Sequence, residues 1–70
     1  MTIPTHTIKQ ARARTGLSQR QAAELVHVKT LTWRFWEAGR NPMNPAFFEL
    51  FKLKTGLSYI DGENVVDKNE

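Results

Sequence analysis

The segment GLSQRQAAELVHVKTLTWRFWEAGRNP, residues 16–42, contains two short helical patterns separated by a brief interruption. Ser18 is a favourable N-cap residue and predicts a helix over residues 19–26. One face of this helix carries compact apolar side chains, namely Ala22, Ala23 and Val26. His27 lies in the interruption, and a second helix is predicted to follow it and to end at Ala38. Because alanine side chains let a neighbouring helix approach closely, the two helices are expected to pack on each other.

Further helices are predicted on both sides of this segment. Residues 7–15 are rich in good helix formers and are followed by glycine, a typical C-cap residue. Asn44 followed by Pro45 is a favourable start for another helix, which is expected to end at Gly56. Residues 57–70 lack a helical period, and their Asp-Gly pair favours either a short hairpin or a frayed tail. The predicted fold class is therefore all-α, with four to five short helices in a single domain.

Composition limits the class of protein. A core built from 70 residues rarely supplies more than about 3–5 kcal/mol, so self-association or a ligand is expected to add stability. The sequence has no cysteine and only two histidines, which excludes disulfides and thiolate metal sites and argues against a zinc cage. It has no apolar run of about 18 residues and no signal-peptide pattern at its start. We therefore expect a cytoplasmic protein without a membrane span, metal or cofactor.

Charge is distributed unevenly along the chain. The formal net charge is +3, but residues 1–40 carry seven lysines and arginines against two glutamates, a net charge of +5. Residues 41–70 carry three lysines against five acidic residues, a net charge of −2. A basic half of this kind is typical either of a surface that binds a polyanion such as DNA or of an ordinary solvated surface. If DNA is the partner, the acidic half is expected to face away from it.

The second helix of the segment has two chemically different faces. At about 100° per residue, Trp33 and Trp36 lie about 60° apart and face the compact side chains of the preceding helix. These tryptophans are predicted to form the centre of the core. The opposite face carries Leu31, Arg34 and Phe35, and an exposed Leu–Phe pair is costly unless something contacts it. Either this pair packs under the next helix or in a dimer, or it meets thymine methyl groups on DNA.

Helix lengths and turn length together indicate a helix-turn-helix. Two helices of about eight residues joined by a turn of three or four have the dimensions of this motif. Its second helix enters the major groove of DNA and leads with its N-terminal residues. Those residues here are Lys29, Thr30, Leu31 and Thr32, none of which is acidic. The leading face of this helix therefore carries no charge that would repel phosphate.

The segment resembles the Cro/cI-type (XRE-like) helix-turn-helix family of phage repressors over about residues 8–53. The motif elements occur in order: I-x-x-A-R from Ile8, then GLSQ, a small residue at Ala23, a V-x-V turn, and W-E-x-G followed by a basic residue and proline. The resemblance implies a lambda-repressor-like fold for the single domain 1–70, with residues 54–70 as dimerisation segment and tail. Regulators associated with phage anti-CRISPR genes are among the small members that the chain resembles in size.

The resemblance also implies roles for individual residues. The bases are expected to be read by Thr30, Leu31, Arg34 and Phe35. Contacts to phosphate are expected from Gln19, Lys29, Thr32, Arg40 and Asn41. A partly buried ion pair between helices is expected from Arg12 and Glu37, with a role in the scaffold rather than in binding.

Three features depart from the family pattern. The turn usually contains glycine where this chain has His27, which implies a strained left-handed backbone. The usual leucine and isoleucine of the two helices are replaced by Ala22 and Trp33, which indicates a volume exchange across one contact. Base-reading positions that often carry Gln, Ser or Arg are occupied by Leu31 and Phe35. Methyl contacts, DNA shape or help from Arg34 are therefore expected to contribute more to specificity.

The fourth helix and the residues after it are predicted to join two copies of the chain. Its apolar side chains cover too wide an arc to be buried in one small domain. The predicted dimer interface consists of Phe47, Phe51, Tyr59 and Ile60. We expect a homodimeric autorepressor that binds a double-stranded DNA operator with two-fold symmetry and takes no small-molecule ligand.

The sequence leaves two alternatives to repression and gives no sign of an enzyme. Neither histidine has a patterned serine or carboxylate neighbour, and the sequence has no glycine-rich phosphate loop, so no enzyme activity is expected. An antitoxin with the same DNA-binding domain remains an alternative, with the fourth helix or the tail binding a toxin. A module whose Leu31–Phe35 patch binds a protein instead of DNA is the other alternative.

Overall fold

A computed structural model describes residues 2–57 of the chain, and these residues form helices and turns without a β-strand. The four helices are α1 (Thr5–Thr15), α2 (Gln19–Leu25), α3 (Thr30–Ala38) and α4 (Pro45–Thr55). The predicted all-α class is therefore confirmed. The first helix begins two residues earlier than predicted. The predicted hairpin, and Tyr59 and Ile60 of the predicted dimer interface, lie outside the described residues.

Side chains cap two of the helices as the sequence predicts. Ser18 Oγ accepts a hydrogen bond from the Gln21 amide at 3.0 Å, and Gln21 Oε1 accepts one from the Ser18 amide at 2.9 Å. This reciprocal pair is a capping box, which satisfies two of the amide groups that a helix start leaves open. Asn44 Oδ1 accepts from the Ala46 amide at 2.8 Å, with Pro45 in the first turn of α4. Local sequence signals therefore fix where α2 and α4 begin.

The turn between α2 and α3 is tight and depends on a left-handed residue. His27 has a φ of +65°, which confirms the predicted left-handed backbone. For a residue with a Cβ atom this conformation is unfavourable and persists only when its surroundings hold it. The Lys54 ammonium of α4 donates to the Leu25 carbonyl at 3.0 Å and lies 3.1 Å from His27 Nε2. The fourth helix thus holds the end of α2 and the turn in place.

The core is centred on the tryptophans of α3, as predicted. Trp33 is fully buried, and its ring centroid lies 5.6 Å from that of Trp36 and 5.1 Å from that of Phe51. Ala22 and Ala23 on the adjoining α2 are also fully buried. Small side chains on α2 thus accompany a large indole on α3, in keeping with the expected volume exchange. The core fixes α3 against α1 and α2 and leaves its opposite face outward.

The structure corrects one residue of the predicted dimer interface. Phe51 is fully buried against Trp33, so its side chain cannot contact a second chain. Phe47 is half-buried and packs on Trp36 at 5.2 Å between ring centroids. The most exposed large apolar side chain of α4 is Leu53, at 67%. The apolar arc of α4 is wide because part of it is needed to cover the two indoles of α3.

Candidate nucleic-acid interface

A buried carboxylate fixes the position of α3 relative to α1 and α2. Glu37 is 4% exposed, and its two oxygens accept four hydrogen bonds. Oε2 accepts from Arg12 Nε at 2.5 Å and from Trp33 Nε1 at 2.6 Å. Oε1 accepts from Arg12 Nη2 at 3.1 Å and from Gln19 Nε2 at 3.0 Å. Four donors match the acceptor capacity of a carboxylate, so burial leaves none of it unsatisfied.

The predicted ion pair between Arg12 and Glu37 is therefore confirmed, and the sequence reasoning missed two of its partners. Trp33 lies four residues before Glu37 on the same helix, a spacing at which side chains meet, so this contact had a signal in the sequence. Gln19 is 18 residues away, and only the packing of α2 on α3 brings it to the carboxylate.

The network shifts the pKa of both charged groups. Burial raises the pKa of Glu37, but hydrogen bonds from Arg12, Trp33 and Gln19 outweigh burial and hold it below its ordinary value of 4.5. The hydrogen bond to Glu37 raises the pKa of Arg12 in turn. Both groups are therefore charged at neutral pH, and the pair is neutral as a unit.

Acid is expected to destabilise the protein through Glu37. Because the pKa of this carboxyl is lower in the folded chain than in the unfolded chain, its stabilisation is present above pH 4.5 and is lost as the pH falls through the lowered value. Urea unfolding between pH 7 and pH 3 measures this loss. The matched variant Glu37→Gln removes the titrating group and should show a shallower decline in the acid range. Equal pH dependence of the two proteins would contradict the assignment.

The outward face of α3 brings together three of the four predicted base-reading residues. Leu31, in the first turn, is 53% exposed, and Arg34 is exposed one turn later. Thr30 begins the helix and is half-buried, as is Thr32. Lys29 precedes the helix with an exposed side chain that makes no capping hydrogen bond. This end of α3 therefore presents methyl groups, hydroxyls and positive charge.

The fourth predicted base reader, Phe35, is partly covered. Gly39 has a φ of +80° and turns the chain, so that the amides of Arg40 and Asn41 donate to the Phe35 carbonyl at 2.9 and 3.4 Å. The Arg40 guanidinium carbon lies 5.1 Å from the centroid of the Phe35 ring, a cation–π distance. The ring thus supports the arginine that is predicted to contact phosphate, and it is half-buried itself.

Gln19, the phosphate-binding residue predicted in α2, is tied to the buried network. Its amide nitrogen donates one hydrogen bond to Glu37. A side-chain amide has two N–H groups, so a second donor remains for a phosphate oxygen. The same carboxylate that fixes α3 therefore also orients this side chain of α2.

Electrostatics distinguish the α3 face from the neighbouring surface. Glu37 is the only acidic residue in the segment 29–41, and it is turned into the core. The exposed Arg20 and Glu24 of α2 form an i,i+4 ion pair at 3.3 Å, which reduces the net charge there. Positive charge is therefore present on both sides of α3, on Lys29 before the helix and on Arg40 after it, with Arg34 exposed between them. This arrangement suits a helix that lies between two phosphate backbones.

The residues of this surface lie in a stretch that is similar to known proteins. Residues 5–51 match the family described as helix-turn-helix domain. A type II methyltransferase from a Moraxella species, M.MspI, is 35% identical over 54 residues, which cover 74% of this chain. The matching stretch covers 13% of the methyltransferase, so the chain spans only a small part of that relative. No helix within residues 2–57 is long and apolar enough to cross a membrane.

Proposed function

Since the chain belongs to the helix-turn-helix domain family, we propose that it is a sequence-specific regulator of transcription that binds DNA through α3 as a homodimeric autorepressor. The observation that carries the proposal is the outward face of α3. It exposes Leu31 and Arg34, has lysine and arginine at its ends, and keeps its one carboxylate in the core. A surface without exposed negative charge can approach phosphate closely.

The proposed complex has α3 in the major groove with its first turn leading. Thr30 and Leu31 then face base edges, and Arg34 follows one turn later. Lys29 and Arg40 lie at opposite ends of the helix and are proposed to contact the flanking phosphates, together with Gln19 and Asn41. Two copies related by a two-fold axis would bind half-sites about one helical turn apart. Bound in this way, the dimer would cover promoter DNA and block polymerase.

Replacing Arg40 with alanine is expected to weaken DNA binding and to reduce its salt dependence. Each phosphate contact contributes about 0.9 to the slope of log affinity against log salt concentration, so the slope should become shallower by about that amount per subunit. Fluorescence anisotropy with labelled DNA over a salt series measures the slope. Lys9→Ala, an exposed basic residue of α1 outside the proposed contact surface, is the matched control. A slope that is unchanged in Arg40→Ala would remove this residue from the contacts.

The exposed Leu31 also supports a second candidate, a module that binds protein instead of DNA. An electrophoretic mobility shift with DNA from upstream of the chain's own gene separates the two, since absence of binding at low salt would favour the protein partner.

A toxin partner would be indicated by a neighbouring toxin gene. The link to phage regulators of anti-CRISPR genes stays a prediction. No catalytic activity, cofactor or small-molecule ligand is proposed, and the expected compartment is the cytoplasm.

A further inference from the structure

The most exposed side chain in the first turn of α3 has no hydrogen-bonding group. Leu31 is 53% exposed in the first turn, at the position from which a major-groove helix contacts base edges. The side chains beside it, Thr30 and Thr32, are half-buried and carry one hydroxyl and one methyl group each. Direct readout by bidentate hydrogen bonds, which needs an amide or a guanidinium at the tip, is therefore absent from this turn.

The major groove offers few apolar groups that such a leucine could cover. Guanine and adenine expose hydrogen-bonding atoms there, and cytosine exposes an amino group, whereas thymine adds a methyl group at C5. Covering a polar base edge with leucine would remove water from it without supplying a partner, which is unfavourable. Covering a methyl group removes apolar surface from water, which is favourable. The same C5 position carries a methyl group in 5-methylcytosine.

Phe35 does not replace Leu31 in this role. It lies four residues later on the same side of α3, but its ring is half-buried and supports the Arg40 guanidinium at 5.1 Å. Arg34, the other exposed side chain of this face, is a donor suited to guanine or phosphate. Leu31 is therefore the most exposed large apolar side chain of this helix.

Resting on the DNA-binding function proposed above, we infer that Leu31 is a specificity-determining residue that reads the 5-methyl group of a pyrimidine. The methyl group itself, from thymine or from 5-methylcytosine, is the recognised feature. Affinity for a given operator then depends on the presence of that methyl group. The hydrogen-bonding groups of the base are the same with and without it.

The test removes one methyl group at a time from a bound operator. An operator is first obtained by selection from random DNA with the full chain, and each thymine is then replaced by deoxyuridine, which lacks only the methyl group. Replacing the single thymine that faces Leu31 in one half-site should lower affinity about fourfold, the effect of about 0.8 kcal/mol for one buried methylene equivalent. Leu31→Ala should bind the two operators equally. Leu53→Ala, the matched change at an exposed leucine of α4, should keep the difference.

Two further arms identify the source of the methyl group and isolate the proposal from the function on which it rests. The first arm compares cytosine with 5-methylcytosine at the sensitive position. Tighter binding of the methylated form that is lost in Leu31→Ala would add 5-methylcytosine as a source. Equal binding of the two forms would limit the source to thymine. Equal affinity for thymine and deoxyuridine at every position would overturn the inference while leaving DNA binding intact. Failure to enrich any sequence would instead count against the proposed function.

Discussion

Replacing Glu37 with alanine is expected to lower the free energy of unfolding by about 3–5 kcal/mol, the cost of breaking a buried ion pair on one side. The substitution leaves the Arg12 guanidinium without its counter-charge and the indole N–H of Trp33 buried without an acceptor. It also releases Gln19 from α3. Urea unfolding followed by circular dichroism measures the change, with a stabilising osmolyte present so that the variant still folds.

The matched control is Glu24→Ala. This glutamate pairs with Arg20 at 3.3 Å, but both side chains are mostly exposed, so the loss should be below about 0.5 kcal/mol. A double variant of Glu37 and Arg12 should cost little more than Glu37→Ala alone, because both changes remove one network. Similar losses for the Glu37 and Glu24 variants would show that the buried carboxylate does not organise the three helices.

Replacing Trp33 with alanine is expected to cost about 3–5 kcal/mol and to leave most molecules unfolded, because a domain of this size has about that much net stability. Trp33 is fully buried, contacts Trp36 and Phe51, and donates to Glu37. Its removal therefore opens a cavity between α3 and α4 and also removes one of the two hydrogen bonds that Glu37 Oε2 accepts.

Thermal unfolding followed by circular dichroism measures this effect. Trp33→Phe keeps much of the ring packing and loses the N–H donor, so it should lie between the parent and the alanine variant. Leu53→Ala removes an exposed apolar side chain of α4 and should change stability little. A cooperative transition of Trp33→Ala close to that of the parent would contradict the assignment of this indole to the centre of the core.

Much of the fold follows from signals local to the sequence. Ser18 and Asn44 cap their helices through their own side chains, so the starts of α2 and α4 are predictable without tertiary structure. The apolar period of α3 places Trp33 and Trp36 inward for the same reason. His27 adopts a left-handed backbone at the turn, as expected from the position it occupies in the motif.

Features that depend on packing were not predictable in the same way. Helical periodicity shows that α4 has a wide apolar arc, but it does not say which part of that arc covers Trp33. The sequence therefore predicts Phe51 in an interface between chains, although it belongs to the core. The placement of Arg40 over Phe35 depends on how the chain turns after Gly39. For the proposed DNA-binding surface, the sequence predicts the residues, and packing determines which of them are exposed.

The central claim is that the exposed face of α3 reads DNA sequence, and selection of binding sites from a random DNA pool tests it most directly. The full chain is used at moderate salt, and enriched sequences are compared with those obtained for Arg34→Ala, which changes an exposed side chain of this face. The expected result is an enriched inverted repeat with half-sites about one helical turn apart, changed at specific base pairs in the variant. A pool without enrichment, or identical sites for both proteins, would contradict the claim.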